Sequence, residues 1–147
     1  FNMSMSNTSE SALLNLLFKN QAWANVGDAS GLQPSAAAGN FYVRLHSADP
    51  GETGTGDTSE IAYTGYAPVA VARGAGFNVS GAVVSNAGTV QFGECTAGTA
   101  TVTHFSVCAG GGAGAVIVYR GALGATRSIS AGITPLFNAG ALSGTID

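Results

Sequence analysis

Apolar and polar positions alternate most regularly between Ala100 and Tyr119. Val102, His104 and Ser106 interleave with Thr103, Phe105 and Val107, the period of two that sends successive side chains to opposite faces of a sheet. The run Val116 to Tyr119 answers it with apolar, β-branched residues, as in a strand covered on both faces. Joined by the glycine-rich stretch Ala109 to Gly114, the two predict one β-hairpin with Phe105, Val107, Ile117 and Tyr119 in a core. Around it the chain reads as further strands and one helix.

The helix comes first. Asn7 followed by Glu10 has capping-box spacing, with Asn7 as the cap and Glu10 reaching back to it. Leu13, Leu14, Leu17 and Phe18 then form a broad apolar face at helical spacing. The expected helix covers about 7–19, and its face either packs on this chain's own sheet or seats in a neighbouring subunit. Residues 23–39 carry no sustained period and are broken by Gly27, Gly31, Pro34 and Gly39, a loop. From Phe41 to His46 the alternation resumes, with Phe41, Val43 and Leu45 inward and Tyr42, Arg44 and His46 outward or toward a contact.

The segment 47–61 is polar and turn-rich and gathers Asp49, Glu52, Asp57 and Glu60. A loop of that length is functional or mobile, and this one is expected to be solvated or to face a partner. Strand character returns over 63–73, where Pro68, unable to donate to a ladder, marks an edge or a strand start. Short strands follow at Phe77–Ser80, Ala82–Ser85 and Thr89–Phe92, and two more at Thr126–Ser130 and Ala141–Ile146. Strands this closely spaced, with turn residues between them, predict an all-β fold, an antiparallel sandwich or jelly-roll-like arrangement with one N-terminal helix. A single domain over 6–147 is expected. Residues 1–5 read as a flexible start, in which Phe1 and Asn2, ahead of Met3, look like an expression remnant.

Composition changes this picture in one respect. Charged side chains make up only 9% of the 147 residues, while 46% are hydrophobic and 22 are glycine. The chain therefore folds, since disorder needs few apolar residues and strong self-repulsion. Its surface must be largely Gly, Ala, Ser, Thr and Asn, which a neighbour can cover without stripping water from many charges. Self-association in a larger assembly is the expectation, with a trimer as the first guess. A net charge of −3 with one Lys and four Arg provides no basic patch for nucleic acid. No apolar run reaches a membrane-spanning length, the N-terminus lacks signal-peptide features, and no membrane partner is expected. Cys95 and Cys108 read as buried thiols of a reducing compartment, with a disulfide between them as the alternative.

Candidate chemistry is sparse. His46 and His104 have neither zinc-ligand spacing nor a recognisable serine partner. Gly110–Gly114 precedes a strand, so it lacks the helix N-terminus of a phosphate loop. The acids of 47–61 offer oxygen ligands for Ca²⁺ but not in EF-hand spacing, and no catalytic pair of carboxylates is expected among them. No cofactor and no metal are expected. Exposed aromatics Trp23, Tyr63 and Tyr66, with Asp49 and Asp57 as hydrogen-bond acceptors, suit either a protein interface or stacking on a host-surface glycan.

Several stretches together carry a resemblance. Ala12–Phe18, Tyr42–Pro50, Tyr63–Tyr66 with Val69–Val71, Thr101–Phe105, Tyr119–Leu123 and Ile133–Leu142, in this order, resemble small virion structural proteins of tailed bacteriophages, described as tail-fibre or minor-tail proteins. The resemblance covers nearly the whole chain from Met5. It implies a structural part of a virion, made in the cytoplasm of the bacterial host, with itself and other virion proteins as partners and no catalytic residues. Its place would be in the tail or fibre, or on the head as a decoration or collar protein. Interface candidates are then Leu13, Leu14, Leu17, Phe18, Trp23, Asp49, Asp57, Tyr63 and Tyr66, and a receptor- or glycan-binding module is the alternative.

Overall fold

The computed structural model describes residues 3–146; Phe1 and Asn2, read above as a remnant, lie outside them. The chain is mainly β, with antiparallel sheets and an N-terminal helix. The elements are α1 (Asn7–Lys19), β1 (Asn40–His46), β2 (Val69–Ala72), β3 (Phe77–Ser80), β4 (Val83–Asn86), β5 (Val90–Gln91), β6 (Ala100–Ala109), β7 (Val116–Ile129), β8 (Leu136–Phe137) and β9 (Ser143–Thr145). They fall into two compact units. One holds the described parts of Phe1–Gly39, Ala72–Thr89 and Asn138–Asp147, the other Asn40–Val71 and Val90–Phe137.

The first unit sets α1 against the sheet β3-β4-β9. The helix has its predicted extent but not its predicted cap. Ser6, extended at φ −78°, ψ 151°, is the N-cap and accepts from Ser9 N at 3.4 Å, which moves Glu10 beyond the reach of a capping box. Glu10 instead joins Leu14 and Phe18 in one buried stripe. Leu14 is fully buried, Phe18 is 1% exposed, and the Phe18 ring meets Phe77 edge-on at 5.0 Å. The face thus packs on its own sheet. The carbonyls that a helix leaves unpaired at its C-terminus find distant donors: Arg73 donates to Leu16 O (2.7 Å) and Leu17 O (2.5 Å), and Gly74 N to Phe18 O (2.7 Å). At the other side of the sheet the buried Asn86 side chain donates to Gly88 O and Asn138 O and accepts from Leu142 N.

The second unit is built on the sheet β2-β1-β6-β7, with the short pair β5-β8 beside it. The predicted hairpin is its centre, but its second strand runs on through Gly121 and Gly124 to Ile129, absorbing the strand expected at 126–130. Two bulges make this possible. Val118 is an extra residue between the pairs Val107↔Tyr119 and Cys108↔Ile117, and Leu123–Thr126 stand against Thr103 alone. β2 starts directly after Pro68 and lies at the sheet edge, the position a missing N–H tolerates.

Phe41, Val43 and Leu45 face inward as the alternation predicts, yet Arg44 and His46, 3% and 0% exposed, are buried as well. Both faces of β1 are covered. The aromatics of this unit close on one another: Tyr63 on Tyr66 (5.4 Å), Tyr66 on Phe92 (5.9 Å, stacked), and Phe92 and Phe105 on Phe137.

Truncating the helix stripe measures how far α1 is core. Phe18→Ala should cost about 3–5 kcal/mol of unfolding free energy in urea titrations. Leu13→Ala, at a half-buried position, should cost clearly less.

Candidate functional site

What covers the second face of β1 is the segment 47–61, and Arg44 is the reason. Its Nη1 donates to Glu60 Oε2 at 2.6 Å and Asp57 Oδ1 at 3.1 Å, and its Nη2 to the carbonyls of Gly111 and Gly112 at 2.9 and 2.8 Å. One guanidinium thereby ties a strand, the acidic loop and the glycine-rich turn of the hairpin. Its planar fork suits this work in a way a lysine ammonium does not. Gly56 lies so close that a Cβ there would stand 2.8 Å from Arg44 Nε.

Further bonds converge on the same place. Asp57 Oδ2 accepts from Gly114 N at 2.6 Å, Gly56 N donates to Ala115 O at 2.8 Å, and Tyr66 Oη donates to Glu60 Oε1 at 2.8 Å while accepting from Leu45 N. Burial and the neighbouring carboxylate of Glu60 raise the Tyr66 pKa far above the ordinary phenol value, so its hydroxyl stays a donor. The glycine-rich turn 110–114 is held by the bonds from Arg44 and Asp57. The loop 47–61, expected to be solvated or partner-facing, turns Glu60 inward and engages Asp57 at the surface.

His46 carries a second buried chain of bonds. Thr58 O can only accept, so His46 Nδ1 holds the proton and donates at 2.9 Å; Nε2 then accepts from Ser106 Oγ at 2.8 Å, and Ser106 Oγ lies 3.3 Å from Cys108 Sγ. Burial lowers the His46 pKa and raises that of the Cys108 thiol. Cys95 and Cys108 are both buried and free. His104, by contrast, is half-buried beside Thr103 Oγ1.

Asp49 and Glu52 remain at the surface, where both accept from Arg120: Nη1 reaches the Asp49 oxygens at 2.6 and 2.7 Å, and Nη2 the Glu52 carboxylate. The Gly51 amide, and next Arg120, hold the Asp49 pKa below the usual carboxylate value. Between this ion pair and the Thr55↔Val116 bridge the loop parts from the strand and opens a cleft of about 450 Å³, lined by Gly51–Gly54 and by Val116–Arg120. Five consecutive residues of one strand line it. Since alternate residues point to opposite faces, that wall is the backbone edge of β7.

The interface candidates are distributed unevenly. Leu14 and Phe18 lie inside the first unit, while Leu13, Leu17 and Trp23 are half-buried. Tyr63 is buried, with its hydroxyl on Gly93 O, and Tyr66 is turned to Glu60, so neither is the exposed aromatic expected of it: a ring with its hydroxyl matched to an inward acceptor packs rather than protrudes. Asp49 and Asp57 are exposed but engaged. Arg120 and the β7 edge were not singled out from sequence; an arginine six residues beyond the glycine run that ends at Gly114 was the available signal. Among the described residues no three His, Cys, Asp or Glu side chains gather as metal ligands.

The fold is mainly antiparallel β, and its scarce charged groups fasten loops to strands. In a comparison with known families, residues 4–145 match the family described as Podophage GP4 fiber I protein gp80, and the chain belongs to that family of phage fibre proteins. No curated protein matches it significantly.

Removing the Arg44 guanidinium leaves its carboxylates without their buried partner, so Arg44→Met should cost about 3 kcal/mol or more in denaturant unfolding, and Arg44→Lys should not restore it fully. For His46 the sign follows from a folded-state pKa lowered below the unfolded value near 6.5. Its contribution is fully present above about pH 6.5 and is lost as pH falls toward the lowered pKa, because the unfolded chain takes up the proton first. Thermal unfolding followed from pH 7.5 to 5 should show this decline, and His46→Gln should flatten it.

Proposed function

We propose that this chain is a non-catalytic building block of a phage tail fibre that works by self-association and by burial of uncharged surface against other virion proteins. The observation that carries the reading is the family match over residues 4–145. The low charge supports the mechanism, because covering Gly, Ala, Ser and Thr surface removes little bound water. So does the fastening of the acidic loop and hairpin turn by Arg44: a surface that is ordered before binding loses less entropy on assembly. The surface available for contact comprises Leu13, Leu17 and Trp23 on the first unit and Asp49, Glu52 and the edge of β7 on the second.

A receptor- or glycan-binding role has one observation in its favour, the cleft between Gly51–Gly54 and Val116–Arg120. Against it, Tyr63 and Tyr66 are packed inside and offer no exposed platform for a sugar ring.

Mass spectrometry of separated phage heads and tails checks the assignment. The chain is expected in the tail fraction in multiple copies; recovery with heads would make it a decoration or collar protein, and absence from both would overturn the virion role.

A further inference from the structure

The outer side of β7 is the exposed edge of the second unit's main sheet. Proteins blunt such edges with lysine, proline, a bulge that turns the edge away or a covering loop. β7 has neither Lys nor Pro over its fourteen residues, and the loop whose Thr55 bridges to Val116 leaves that side chain exposed and parts from the strand beyond it. From Ala122 to Ser128 every residue except the half-buried Leu123 is exposed.

The charges along this edge are unbalanced in a complementary way. Asp49 and Glu52 set two carboxylates against the single guanidinium of Arg120, an excess of one negative charge. The side chain of Arg127, seven positions further along the same strand and exposed, makes no ion pair or hydrogen bond with any described residue. The other four cations are all engaged: Lys19 on Gly74 O and Phe77 O, Arg73 on the helix carbonyls, and Arg44 and Arg120 on acids.

We infer that two copies of this chain join edge to edge along β7, antiparallel about a two-fold axis near Leu123 and Gly124, with Arg127 of each copy docking on the Asp49–Glu52 carboxylate pair of the other. This rests on the self-association proposed above and names its contact. A two-fold contact brings the same patch of both copies together, and in an antiparallel pair centred between Leu123 and Gly124 residue 120 stands opposite 127. Both junctions then form at once, four residue steps apart as measured on β6, where Ser106 pairs with Arg120 and Val102 with Arg127, or roughly 13 Å at 3.3 Å per residue. The residues between them, Gly121 to Thr126, carry no charge, so close approach of the two backbones strips little bound water. The bulge at Leu123–Thr126 bends the edge. A flat foreign strand does not follow that bend, whereas a second copy carries the same one.

The test is a charge exchange between two variants of the full chain, read by sedimentation velocity over a concentration series. Wild type is expected to dimerise. Arg127→Glu sets like charges at both junctions and should weaken dimerisation roughly tenfold or more; Glu52→Lys should do the same by facing Arg127. Mixed together, the two variants form one native and one reversed junction, and heterodimers should return. Both positions are exposed, and unchanged circular dichroism confirms that the variants fold. Wild type remaining monomeric or forming a trimer, Arg127→Glu associating like wild type, or a mixture without heterodimers would each overturn the edge contact. None of these results bears on whether the chain is found in tails, which tests the fibre role separately.

Discussion

The second unit depends on one buried guanidinium. Arg44 lies mid-strand on β1 with 4% of its side chain exposed, and a charge in that position is tolerated only when it is paired and hydrogen-bonded. Its partners are supplied by two segments that have little else to fold around: the polar run 47–61 and the glycines of the hairpin turn. Two carboxylates and two main-chain carbonyls satisfy both terminal nitrogens. Only Nε is buried without an acceptor, a cost of about 1–3 kcal/mol that the four other bonds offset. The requirement runs in both directions: the loops order because Arg44 must be neutralised, and Arg44 can be buried because the loops come to it.

The same economy governs the rest of the charge. With five cations in the whole chain, three donate to main-chain carbonyls remote in sequence: Lys19 to Gly74 and Phe77, Arg44 to Gly111 and Gly112, and Arg73 to Leu16 and Leu17. These cations act as internal fasteners, replacing packing that small side chains cannot supply. Placing charge inside leaves an exterior with few charges, which suits the self-association proposed above. Arg127 stands outside this pattern.

Much of the fold was legible in the pattern of apolar positions. Helix α1, β1, the central hairpin and the edge position of β2 follow from period, turn residues and Pro68. Other features depend on contacts remote in sequence. Period two places Arg44 and His46 on the second face of β1, outward or toward a contact, and nothing in the strand reveals that the contact is a loop 13–16 residues away. The strand expected at 126–130 runs on from the hairpin instead, because Gly124 lies in a bulge and Gly121 lets the Phe105 ring approach to 2.9 Å from where a Cβ would stand. Tyr63 and Tyr66 look like surface aromatics in a polar stretch, and only the acceptors Gly93 O and Glu60 show why they turn inward. The cap fell one residue early because Ser6 and Asn7 are equally good caps.

Amide hydrogen exchange on the unmodified protein tests most directly whether Arg44 makes loop and turn one ordered body. Gly56 and Gly114, which donate to Ala115 O and Asp57 Oδ2, lie in segments that composition marks as mobile. The account predicts that both amides are protected to a degree approaching that of the β1-β6 ladder. Exchange of either at the rate of a free loop, while β1 and β6 stay protected, would contradict it.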